Sequence, residues 1–75
     1  SVKGVLSHYM EQKIRDYVKS HKLGKVLEIK EISNWWKGKR YHVAVMKLRR
    51  KEFTVYESGG EIVTVKNIWT GKEYD

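Results

Sequence analysis

Between Trp35 and Lys51 the chain reads WWKGKRYHVAVMKLRRK, with seven lysines and arginines, two adjacent tryptophans and no carboxylate. The chemistry open to these residue types is recognition rather than bond-making. Ammonium and guanidinium groups neutralise phosphates, and flat aromatic rings stack on unpaired bases. The formal net charge is +7, and the nine basic residues outside this segment are matched by the nine acidic ones, so the excess lies in this one stretch. Trp35, Trp36, Lys37, Lys39, Arg40, Lys47, Arg49, Arg50 and Lys51 are therefore candidate ligands of a polyanion.

Bond-making chemistry has no comparable concentration. His8, His21 and His42 are dispersed, cysteine is absent, and no His-Glu spacing marks a metal centre. Ser7, Ser20, Ser33 and Ser58 lack a nucleophile-elbow motif, and Ser58-Gly59-Gly60 reads as a turn rather than a phosphate loop leading into a helix. Glu57 and Glu61 flank that turn as solvated like charges. The expectation is a non-enzymatic protein with no catalytic residues, no metal and no cofactor.

What positions the basic segment must come from one small domain, residues 1–75. A chain this short buries only about 60% of the surface its unfolded form exposes, yet 40% apolar and 12% aromatic residues are enough to build a core. Without cysteine there is neither a disulfide framework nor a zinc–thiolate site. The longest stretch free of charged side chains, Gly4 to Met10, falls far short of the ~20 apolar residues that cross a bilayer. No charged-then-apolar leader is read at the start of the chain, which begins at Ser1 rather than Met, as it would if a leader or tag had been removed.

Leu6, Met10, Ile14, Tyr17 and Val18 recur at three- and four-residue steps, so the spacing predicts an amphipathic helix over roughly Val5 to His21. Gly24 stands where a left-handed helix stop places a residue without a side chain. From Lys25 the period changes to two, and further strands are expected at Arg40 to Leu48, Phe53 to Glu57 and Glu61 to Trp69. Gly38 marks the first hairpin, Arg49 to Glu52 a polar second turn, and Ser58 to Gly60 the third. The fold class is α+β, with one N-terminal helix packed on a four-stranded antiparallel sheet in the order α-β-β-β-β.

Alternation assigns the faces. Leu27, Ile29, Phe53, Val55, Val63 and Val65 are expected to join Leu6, Met10, Ile14 and Tyr17 in the core. Glu28, Lys30, Thr54, Tyr56, Ile62, Thr64 and Lys66 then look outward, adding Tyr56 and Lys66 to the candidate ligands. A bulge is expected near Glu31 and Ile32, and Trp35 and Trp36 should face opposite sides. The two basic clusters flank an eight-residue strand, roughly 25 Å apart at ~3.3 Å per residue. That separation favours an extended polyanion over a compact ligand.

The closing run EIVTVKNIWTGKEYD ends in an extended strand and a Thr70-Gly71 turn, and with the preceding helix and meander it resembles the small PepSY or cystatin-like domains. The resemblance is one of topology across most of the chain. It implies a non-catalytic extracytoplasmic module that binds or inhibits another protein. Lys66, Asn67, Ile68 and Trp69 stand where acidic residues are expected in those domains. The residues themselves favour binding of single-stranded nucleic acid by charge and stacking, which implies a cytoplasmic location. The alternatives are the envelope module, whose partner is a protein or an anionic surface, and a structural piece of a larger protein.

Overall fold

The computed structural model describes residues 2–34 and 38–74, with side chains placed for residues 8–32 and 38–74. Helix α1 (Val2–Ser20) is followed by β1 (Lys25–Asn34), β2 (Gly38–Lys47), β3 (Arg49–Ser58), β4 (Glu61–Asn67) and β5 (Glu73–Tyr74). The strands lie in sequence order in one antiparallel sheet, and α1 covers one of its faces. The α+β class, with the helix preceding the strands, is as the sequence predicts, with one strand more.

On the covered face, Met10, Ile14 and Val18 project from successive helical turns onto Tyr41, Val43 and Val45 of β2, Phe53 and Val55 of β3 and Val65 of β4. Tyr17 and Ile29 pack at the edge of this core, while Leu6, Trp35, Trp36 and Lys37 fall outside the described side chains. Lys13 fastens the helix to the β3–β4 turn, donating to Glu61 Oε2 at 2.7 Å and to the Gly60 carbonyl at 3.1 Å. Its ammonium is held above the ordinary lysine range, chiefly by that bond to Glu61.

Two core expectations are overturned by the same device. In β1 the register slips between Val26 and Glu28, so Leu27 is an extra residue without a partner on β2 and is exposed. In β4, Ile62 pairs with Glu57 and Thr64 with Tyr56, so Val63 is extra and exposed while Ile62 packs against the core. Each bulge shifts the alternation by one, and an apolar residue at the bulge conceals the shift in the sequence. The bulge of β1 thus lies at Leu27 rather than near Glu31 and Ile32.

The second turn also differs. Arg49 to Glu52 form the start of β3, and the chain reverses at Leu48, whose φ is 68°. The helix stop is likewise displaced by two residues. Lys22 takes the left-handed conformation (φ 55°), its N–H donates to the Lys19 carbonyl, and the Leu23 N–H donates to Val18. That pair of bonds is a Schellman motif with lysine where glycine is usual. Lys22→Gly should therefore raise stability by ~1 kcal/mol, read as a higher urea midpoint with an unchanged slope. An unchanged or lower midpoint would contradict the strain assigned to this site.

The fifth strand follows from Asn67. Buried beside β3, it accepts from the N–H groups of Trp69 (2.8 Å) and Thr70 (3.0 Å) through its side-chain oxygen. That local turn brings Tyr74 opposite Val65 and Glu73 opposite Lys66.

Candidate nucleic-acid interface

Among the described residues no element covers the second face of the sheet, and the strand registers set its side chains in rows. One row reads Lys30, His42, Thr54 and Lys66 across β1 to β4, and the next reads Ile32, Arg40, Tyr56 and Thr64. Strands ~4.8 Å apart make each row roughly 14 Å wide, and the rows are separated by ~7 Å along the strands. These eight positions hold three permanent cations, one imidazole, one phenol and two hydroxyls, and no carboxylate. Tyr56 sits between Arg40 and Thr64 and is half-buried. At the β5 edge an acid, Glu73, stands opposite Lys66.

Toward the β2–β3 turn the face is internally neutralised. Glu52 accepts from His42 Nε2 at 2.7 Å through one oxygen and from Arg50 Nε at 3.2 Å through the other. The Arg50 guanidinium first, and His42 second, hold the Glu52 carboxyl below the ordinary glutamate range. A depressed carboxyl stabilises the fold above its unfolded-state pKa, and that contribution is lost as pH falls through the folded-state value. Glu52→Gln should therefore lower the melting temperature at neutral pH, with the gap to the native chain closing on acidification below the carboxylate range. A gap independent of pH would show that the pairing does not support the fold.

The basic segment read from the sequence divides between the two faces. Arg40 and Arg50 lie on the uncovered face with Tyr56 and Lys66. Lys39 lies on the helix side near Tyr9, Met10 and Tyr41, and Lys47 reaches back to donate to the Lys22 carbonyl at 2.7 Å. Arg49 and Lys51 pair with Lys47 and Val45 and so share that side. Lys30, Thr54 and Thr64 complete the uncovered rows. Alternation had turned all three outward, but their location outside the charge-rich segment kept them from being read as ligands. Trp69, more than half exposed on the β4–β5 turn, is a surface indole that the reading of β4 as running to Trp69 obscured.

On the helix side, a cavity of about 320 Å³ is lined by Tyr9, Met10, Lys39, Tyr41, Glu57 and Gly60. The Tyr41 hydroxyl is buried without a hydrogen-bond partner, and burial pushes its pKa up, with Glu31 and Glu57 adding to the effect. Among the described residues no three His, Asp or Glu side chains are grouped so as to hold a metal ion, and no helix is long and apolar enough to cross a membrane. The chain matches no protein-family model, no curated protein and no solved structure.

Proposed function

We propose that this chain is a non-catalytic module that binds single-stranded nucleic acid across the uncovered face of its sheet. The observation that carries the reading is the pair of adjacent carboxylate-free rows with Tyr56 set among Lys30, Arg40 and Lys66. The cations are spaced to follow a backbone crossing the strands, and the Tyr56 ring offers a base a stacking surface. Thr54, Thr64 and His42 supply hydrogen-bonding groups to exposed base edges. A sheet face presents no projecting element to enter a duplex groove, so unpaired strands are the better fit.

Three phosphate contacts correspond to a log–log salt slope of about −2, and Lys66→Gln should reduce its magnitude by ~0.7. Tyr56→Thr keeps a β-forming residue and should cost ~1–3 kcal/mol of affinity while leaving the slope unchanged, because stacking releases no counterions. Titrating labelled single strands, a duplex and heparin over several salt concentrations tests both. Equal affinity for heparin and single strands, with no loss in Tyr56→Thr, would leave only a generic basic surface.

A further inference from the structure

We infer that the end of the molecule formed by the β2–β3 hairpin docks on an anionic lipid bilayer, with Leu48 entering the interfacial layer and the neighbouring lysines receiving headgroup phosphates. Ten-residue strands, about 33 Å long, run along a molecule whose longest dimension is 37 Å, which puts the hairpin tip at one extremity. Leu48 occupies that tip with relative exposure of 102% and a left-handed φ of 68°. Leucine is disfavoured in that backbone conformation, and here the side chain gains no burial from the fold. Glycine or asparagine would relieve the strain and remove the apolar surface, so the fold alone gives no reason for leucine.

More apolar surface lies on the same half of the molecule. Met46 is exposed two residues before the tip, and Trp69 is exposed on the turn after β4, which sits about four residues, roughly 13 Å, back from the tip, where Ile68 N–H bonds the Glu52 carbonyl. An indole at such a surface suits the bilayer–water boundary. The cations surround this apolar group: Lys47 and Arg49 flank Leu48, and Lys25 lies opposite Met46. Beside them the helix terminus and β2 enclose a shallow hollow of about 340 Å³ lined by Lys19, Lys22 and Lys47, of a size and charge for a phosphate headgroup. Basic residues around an exposed apolar tip combine the two attractions of peripheral membrane attachment, charge toward an anionic leaflet and apolar burial. Phosphates of a nucleic acid would engage the lysines but leave the aliphatic tip without a partner. This surface shares no residue with the rows of the proposed nucleic-acid interface.

The test is co-sedimentation of the whole chain with vesicles of phosphatidylcholine alone and of phosphatidylcholine with phosphatidylglycerol. Binding is expected only to the anionic vesicles. Leu48→Asn, in which asparagine accepts the left-handed backbone, should weaken it roughly tenfold, Trp69→Ser should weaken it further, and Lys19→Gln with Lys22→Gln should reduce its salt dependence. Tyr56→Thr and Lys66→Gln should leave vesicle binding unchanged, so failure here and failure of the nucleic-acid reading are separable. Absence of binding to anionic vesicles, or binding indifferent to both Leu48→Asn and Trp69→Ser, would overturn the proposal. Loss of single-strand binding in those two variants, with vesicle binding intact, would overturn it in favour of a nucleic-acid contact at this end.

Discussion

Truncating Phe53 to alanine is expected to destabilise the fold by about 3–5 kcal/mol, a large share of the ~4–11 kcal/mol available to a chain of this length. Phe53 is 1% exposed and lies in the middle strand of the sheet, opposite Val43 on one side and Asn67 on the other. Its ring also meets Tyr74 edge-to-face with centroids 5.6 Å apart, so its removal leaves a cavity and frees the short β5 from its anchor. Urea unfolding followed by circular dichroism gives the midpoint. A midpoint close to that of the native chain would show that the core is not centred on β3.

Gly24→Ala is expected to be comparably damaging for a different reason. Gly24 has φ of 121°, a region closed to residues with a side chain, and a Cβ built there would lie 2.5 Å from the Met46 carbonyl oxygen and 2.7 Å from Lys47 Cβ. The neighbour in the way is backbone, so the link between α1 and β1 would have to move away from the end of β2. Strain and displacement together should cost roughly 2–5 kcal/mol. Lys47 should then lose its 2.7 Å bond to the Lys22 carbonyl, which closes the same junction. Thermal melts of Gly24→Ala and Lys22→Gly make a contrasting pair, since adding a Cβ at one site destabilises while removing one at the other stabilises. Equal, small effects at both sites would contradict the close approach.

The helix and the central strands were legible because their apolar residues keep one period. Met10, Ile14 and Val18 repeat at four, and Tyr41, Val43, Val45, Phe53 and Val55 repeat at two. Leu27 and Val63 were misread because a bulge changes the phase of alternation without changing residue type, and each bulge residue is itself apolar. Arg49 to Glu52 looked like a turn because of charge, yet strand ends carry charge readily where cross-strand partners exist, as Glu52 finds in His42 and Arg50. Glycine at position 24 signalled the helix end but performs a packing task, while Lys22 takes the left-handed turn.

The site was partly legible on the same terms. Alternation put Tyr56 and Lys66 on the outward face, and the register joins them to Arg40 and Lys30. The charge-rich segment could not be read as one surface, because consecutive residues of a strand point to opposite sides. Lys39, Lys47, Arg49 and Lys51 therefore belong to the helix side and to the hairpin end, where the lipid-facing surface is proposed.

The most direct measurement is a two-dimensional amide spectrum of the isotopically labelled chain titrated with a short single-stranded oligonucleotide at low salt. The expected perturbations cluster at Lys30, Ile32, Arg40, His42, Thr54, Tyr56, Thr64 and Lys66, with Lys19, Lys22 and Leu48 little changed. Perturbations confined to the helix terminus and the β2–β3 hairpin, with the uncovered rows silent, would contradict binding on the sheet face.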